Sequence, residues 1–265
     1  MPANFCEANG AKLHASIKGQ GDSVLLVHGG YSNMSVWDEH VDEIASQFKA
    51  IRYDQRGYGQ SSGPSGPFSY YEDIKSILDY YQVNNTHIVA SSFGGSAAID
   101  FTLRYPEYVN KLILVGPSIN GVNYPFRMKW EGILDYLRVN RAGMEKAADV
   151  FLQKNFWSYM VPQEEERKRR FKEIYTSNAV FYNSKQSWQR PLTPHAIHRL
   201  EEIRKPLLII EPENDHPFNK KVCEIIHSRV KDSEKIVMNN SGHYPHLEHP
   251  SEFTSILLEY LNREP

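Results

Sequence analysis

Residues 86–100 read T-H-I-V-A-S-S-F-G-G-S-A-A-I-D. A short apolar run closes in two serines, two glycines follow a phenylalanine, and an Ala-rich segment begins. A buried strand reads as a short apolar run and an Ala-rich stretch favours helix. The junction therefore predicts a strand that breaks sharply into a helix and leaves one side chain at the turn. The backbone crosses itself closely at such a turn, so the residues two before and two after that side chain must be small. Around Ser92 they are Ala90 and Gly94; around Ser91 they would be Val89 and Phe93, which are too bulky. Size selects Ser92 as a nucleophile and leaves Ser91 packed beneath it. A helix that begins at Ser92 or Phe93 also turns the Phe93 N–H toward the reacting centre, where the helix dipole favours negative charge.

A serine hydroxyl is a weak nucleophile and needs a histidine as base, itself oriented by a carboxylate. Both should follow strands. K-P-L-L-I-I-E (205–211) reads as a buried strand, and P-E-N-D-H-P-F then places Asp215 in its loop. E-K-I-V-M-N-N (234–240) is another strand, followed by S-G-H-Y-P-H-L-E-H-P with His243 after a glycine. The order Ser, Asp, His is one of the known triad orders. Glu211 and Glu213 flank the acid loop, and Glu213 is the competitor for Asp215. His216 points elsewhere if Asp215 points inward. His246 and His249 are expected to settle the loop and the start of a final helix with Pro250 at its first position. The His-x-x-His spacing at 243–246 occurs in zinc sites. No paired cysteine or regularly spaced carboxylate completes one here, so no metal is expected.

Upstream, V-L-L-V-H (24–28) is a strand buried on both faces that runs into His28-Gly29-Gly30. Glycines at this place expose backbone N–H groups, and Gly30 is the candidate second oxyanion donor beside Phe93. His28, at a strand end, reads as a structural imidazole. A helix is expected over Val36–Phe48 and a strand over 49–54. The loop D-Q-R-G-Y-G-Q-S-S-G-P-S-G-P (54–67) follows, in which Asp54 and Arg56 are expected to hydrogen-bond the loop backbone. The loop has neither the G-x-G-x-x-G nor the GK[ST] pattern, so neither a dinucleotide nor a P-loop cofactor is indicated. Residues 3–8 and 11–18 read as edge strands turning at Asn9-Gly10. Tyr70–Tyr81 reads as a helix capped by Ser69, and 111–116 as a further strand.

These pieces resemble the α/β-hydrolase superfamily over essentially the full chain: H-G-G at 28–30, D-Q-R-G-Y-G-Q-S at 54–61, S-S-F-G-G at 91–95, E-N-D at 213–215 and G-H-Y-P-H-L-E-H-P at 242–250. The resemblance implies an α/β fold: a mostly parallel central sheet of about eight strands, flanked by helices, with a helical cap inserted after the sixth strand. It implies Ser92 as nucleophile, Asp215 as acid and His243 as base, with the N–H groups of Gly30 and Phe93 as the oxyanion hole. The family usually carries G-x-S-x-G; here Ala90 replaces the first glycine.

The regular alternation stops after residue 116. Residues 117–202 hold no convincing buried strand but read as helices near 127–139, 142–154, 163–175 and 193–202. That separates a core of residues 1–116 and 203–265 from an inserted lobe, which the family calls a cap. Thirteen aromatics lie in the lobe, from Tyr124 to Trp188; most are expected to fill its own core and the rest to line an apolar pocket.

The bulk numbers bound the partners. The 265 residues carry a net charge of −2, with 40% hydrophobic and 23% charged residues, which argues against nucleic acid and membrane as partners. The first ten residues show no export signal and no window suggests a membrane span, so a cytoplasmic protein is expected. Cys6 and Cys223 fit no metal or redox spacing and read as buried free thiols. The expected function is cofactor-free cleavage of an ester or lactone of a small, largely apolar molecule, by a monomer or homodimer. The alternatives are hydrolysis of a carbon–carbon bond in a dione-type ring-cleavage product, or a non-hydrolytic small-molecule receptor on the same fold.

Overall fold

A computed structural model of the chain describes residues 4–263 except Asn9. Its frame is one sheet of eight described strands: β1 (Asn4–Ala8), β2 (Ala11–Lys18), β3 (Ser23–Val27), β4 (Lys49–Tyr53), β5 (Thr86–Ser91), β6 (Val109–Val115), β7 (Leu207–Pro212) and β8 (Glu234–Met238). The spatial order is β1-β2-β4-β3-β5-β6-β7-β8. β1 and β2 pair antiparallel, and β2 pairs antiparallel with β4; every other neighbour pair is parallel. The strand order reverses beside β3 and β5, where open α/β sheets place their sites.

The continuous apolar runs in the sequence have their cause here. Every residue of β3 and of β5 is buried. Leu25, Val27, Ile88 and Ala90 face one core, and Val24, Leu26 and Val89 face the other. Alternate side chains of a strand point to opposite faces, so a strand covered on both sides is apolar throughout.

Around the sheet lie α1 (Asp38–Ala45), α2 (Tyr70–Tyr80), α3 (Phe93–Arg104), α4 (Phe126–Ala142), α5 (Met144–Gln153), α6 (Glu165–Thr176), α7 (Ala179–Tyr182), α8 (Pro217–Arg229), α9 (Pro245–Glu248) and α10 (Pro250–Asn262). Between β6 and β7 the described residues form helices and turns and no strand. One isolated bridge, Phe68 to Gln189, ties that segment to the loop after β4.

Several local expectations are corrected. The helix read over Val36–Phe48 opens with a 3₁₀ turn, Met34–Trp37, because the Asn33 carboxamide oxygen accepts from Ser35 N at 3.0 Å and caps it early. Ser69 stands at the N-cap of α2, but its hydroxyl donates to Arg190 O at 2.6 Å instead of capping. The helix expected over 193–202 is two 3₁₀ turns, Ala196–His198 and Leu200–Glu202. Pro194 has no N–H to give, and Ile197 N–H goes to Asn120 O at 3.1 Å, so no helical ladder can start. The strands read over 205–211 and 234–240 run 207–212 and 234–238. In the first hairpin the strand start at residue 3 and the turn residue Asn9 lie outside the described residues; Gly10 has φ +80° and Ala8 pairs with Ala11.

The close approach of α3 to β3 depends on Gly94. A Cβ there would collide with His28 O and stand 2.8 Å from Val27 O, both backbone atoms that cannot yield. Gly94→Ala is expected to destabilise the fold by about 1–3 kcal/mol, the usual range for overpacking. The check is the urea midpoint, and an unchanged midpoint would contradict the packing described.

Candidate active site

The turn between β5 and α3 is held from several sides. Ser92 has φ 49° and ψ −118°, a conformation that L side chains adopt rarely and only where neighbours enforce it. Its N–H donates to Val115 O at 2.9 Å, and its carbonyl accepts from Gly95 N and Ser118 N, each at 2.9 Å. A Cβ on Gly29 would lie 3.0 Å from Ser92 Cβ and 3.3 Å from Ser91 O, so the loop after β3 packs tightly against the turn. Ser91 is buried beneath the turn, as its flanking residues required.

The structure brings Ser92, His243 and Asp215 together from three loops at the C-terminal ends of β5, β7 and β8. Ser92 Oγ is 2.8 Å from His243 Nε2, and His243 Nδ1 is 2.7 Å from Asp215 Oδ2. The other carboxylate oxygen accepts from His216 N at 2.6 Å and from Asn219 Nδ2 at 2.8 Å. Both histidine and aspartate are buried, and His243 N–H is anchored on Tyr159 O at 2.7 Å. With its Oδ1 occupied by donors, Asp215 can only present Oδ2 to the imidazole. That fixes the Nδ1–H tautomer and leaves Nε2 able to take a proton from the serine. Gly30 and Phe93 line the cavity over Ser92.

The competitors are engaged elsewhere. Glu213 accepts from Asn240 N at 2.7 Å, and Glu211 meets Lys235 at 3.2 Å. His216 accepts from Phe218 N at 3.1 Å and caps α8. The His246 ring is buried and stacks on Trp37 at 4.5 Å, and His249 stands at the N-cap position of α10 with its ring turned to Asn240 O at 3.2 Å instead of to the helix. Cys6 and Cys223 are buried free thiols. Asp54 holds loop backbone as expected, accepting from Met34 N and Gln60 N, and also meets His14. Arg56 departs from expectation. Its guanidinium pairs with Asp73 on α2 at 2.6 Å and 2.9 Å and donates to Ala8 O at 2.8 Å, so it stitches the loop to two core elements.

Two supporting residues escaped the sequence reading. Asn219 follows Asp215 by four, one turn into α8 behind Pro217, and that spacing was the available signal. Tyr244 donates its hydroxyl to Gly30 O at 2.7 Å and ties the loop that carries His243 to the loop after β3. Nothing in the sequence pairs those two positions.

Above Ser92 lies a cavity of about 350 Å³. Six of the thirteen aromatics in residues 117–202 reach it: Tyr124, Tyr136, Trp157, Tyr159, Phe181 and Tyr182. That is a larger share than expected, because Phe151, Phe171 and Tyr175 already pack on one another away from the cavity and few further rings are needed there. The polar lining includes Lys129, Gln189 and Asn219, and no arginine is among the described lining residues.

Sheet order, elbow and relay together define a class. Residues 22–250 match the family model of the alpha/beta hydrolase fold, and the chain belongs to that family. Among curated proteins it is similar to the 2-hydroxy-6-oxo-6-phenylhexa-2,4-dienoate hydrolase of Burkholderia cepacia, with 24% identity over 94% of this chain and 91% of the relative. It is also similar to the 2-hydroxy-6-oxononadienedioate/2-hydroxy-6-oxononatrienedioate hydrolase of Escherichia coli K12, with 26% identity over 95% and 91%. Among solved structures, the enol-lactonase of Burkholderia xenovorans LB400 superposes with a TM-score of 0.80 at 18% identity, covering 98% of this chain and 100% of that one. A thermophilic esterase from Thermogutta terrifontis gives 0.82 at 19%, covering 98% of each. At those identities the structural likenesses establish the fold.

His28 behaves as the structural imidazole expected. Its Nδ1–H donates to Gly29 O at 2.7 Å, and Nε2 accepts from Gln55 N at 2.9 Å, which only the neutral ring can do. Burial lowers its pKa to about 4, and burial does the same for His40. The sign follows from linkage. Below about 6.5 the unfolded chain takes up protons that the folded chain refuses until about pH 4, so stability falls as pH falls through that window. The urea midpoint is therefore expected to be lower at pH 5 than at pH 7. A midpoint that rises on acidification would contradict the assignment.

Proposed function

We propose that the protein is a serine hydrolase that cleaves a carboxylic ester or lactone of a small, largely apolar substrate through an acyl-enzyme. The observation that carries this reading is the hydrogen-bonded relay Asp215–His243–Ser92, at 2.7 Å and 2.8 Å, on the floor of an aromatic cavity. His243 Nε2 takes the Ser92 proton as Oγ attacks the substrate carbonyl. The N–H groups of Gly30 and Phe93 hold the oxyanion, and Asp215 stabilises the imidazolium that forms. His243 then protonates the departing alkoxide. Water, deprotonated by the same nitrogen, attacks the acyl-enzyme and releases the carboxylic acid. Residues 117–202 act as the cap that shapes the substrate space. No cofactor enters the scheme.

A second reading has a specific observation behind it. The curated relatives are named as hydrolases of 2-hydroxy-6-oxo dienoates, ketones with no ester bond whose hydrolysis would have to open a carbon–carbon bond. Lys129, Gln189 and Asn219 give the cavity polar groups for such a substrate. That chemistry must protonate a departing carbon and hold at least one carboxylate. Lys129 is the only Lys or Arg among the described lining residues, which favours a neutral ester or lactone over a dicarboxylate.

The test compares p-nitrophenyl butyrate, an aliphatic lactone and 2-hydroxy-6-oxo-6-phenylhexa-2,4-dienoate as substrates. Ester or lactone turnover is expected, with kcat/KM falling at least about a thousandfold in Ser92→Ala. Equal activity in that variant would remove the nucleophile assignment. Turnover of the dienoate alone would establish the second reading, and no turnover across a broad panel would favour a receptor.

A further inference from the structure

Nine large hydrophobic residues are exposed among the described residues, and five of them lie on α4: Phe126, Trp130, Ile133, Tyr136 and Leu137. A concentration on one helix is not the ordinary scatter of single exposed apolar residues. At about 100° per residue, positions 126, 130, 133 and 137 fall within roughly 60° of arc on one face. Phe126 and Trp130 stand 80% and 50% exposed, with their rings stacked 6.5 Å apart. The opposite face carries Asp135 and Val139, the only buried residues of this 17-residue helix. The stripe therefore points away from the protein.

The charges of α4 separate in the same way. Its two carboxylates turn aside or inward: Glu131 pairs with Lys154, and buried Asp135 pairs with Arg138. Arg127, Lys129 and Arg141 are exposed, and none of the three makes an ion pair among the described residues. An outward apolar stripe with Trp and Phe, flanked by unneutralised cations, is the pattern of a helix that lies in the plane of a lipid interface.

We infer that α4 is a docking helix for an anionic lipid surface, with Phe126, Trp130, Ile133 and Leu137 inserting among the acyl chains and Arg127, Lys129 and Arg141 meeting the head groups. A second copy of the chain suits this face less well. A two-fold contact would set the same cationic rim against itself. The whole-chain charge of −2 and the lack of a described helix able to cross a membrane spoke only to bulk attraction and spanning, and neither sees one helix face. Met128, Lys129, Gly132 and Tyr136 of the same helix line the cavity over Ser92. Docking would therefore bring the cavity wall to the lipid. That last consequence, a substrate ester drawn from the lipid phase, rests on the hydrolase reading; the docking itself does not.

The experiment is flotation with vesicles of phosphatidylcholine alone and with added phosphatidylglycerol, on the full chain. Binding to the anionic vesicles is expected at low salt, with weakening as salt rises and little binding to phosphatidylcholine alone. The double variant Phe126→Ser/Trp130→Ser should bind about tenfold more weakly while keeping its circular dichroism and its turnover of a soluble short-chain ester. Arg127→Gln/Arg141→Gln should weaken binding to anionic vesicles in the same direction. The inference is overturned if the wild type ignores anionic vesicles, binds neutral and anionic vesicles equally, or binds as well without Phe126 and Trp130. A dimer in sedimentation that Trp130→Ser dissociates would reassign the face to a second copy. Loss of ester turnover in the wild type would count against the hydrolase reading and leave the vesicle result standing.

Discussion

The structure depends on one tight crossing, where β5 turns into α3 and leaves Ser92 at φ 49°. The backbone is kept there by Val115 O on one side and by Gly95 and Ser118 N–H on the other. It also needs the missing side chain of Gly94, and Gly29 packs tightly against Ser92. Strain of this kind persists only where surroundings over-determine it. Its return is positional: the hydroxyl stands clear of the sheet, within hydrogen-bond reach of the His243 imidazole, carried by a loop 151 residues further along the chain.

The rest of the site answers that position. Three strand ends deliver three side chains, and the loops between them are tied to one another and to the core. Tyr244 bonds Gly30, Asn219 and His216 hold Asp215, and Tyr159 anchors the His243 backbone. Arg56, which reads in sequence as a loop clamp, spans from its loop to β1 and α2. Truncating Arg56 would leave Asp73 buried without that partner, the costly way to break such a pair.

What the sequence made legible follows from how local each signal is. Strands buried on both faces are apolar without interruption, so β3, β5 and β7 could be bounded to within a residue or two. The candidate nucleophile, Ser92, was singled out by the sizes of residues 89, 90, 93 and 94 alone. The Ser69 cap and the 193–202 helix were misread because distant partners decided them: Arg190 O takes the Ser69 hydroxyl, and Asn120 O takes the Ile197 N–H. The roles of Tyr244 and of the α4 face were out of reach for the same reason. Residue type gives an apolar stripe; only the fold says whether it faces inward or out.

The central claim is that one serine oxygen, activated by His243, attacks carbonyl carbon. Intact-mass spectrometry after treatment with an alkyl fluorophosphonate, followed by peptide mapping, tests this most directly. One adduct per chain, located on Ser92 and slowed sharply in His243→Gln, is the result the account predicts. An adduct on Ser91 or elsewhere, or labelling of Ser92 that is indifferent to His243, would contradict it.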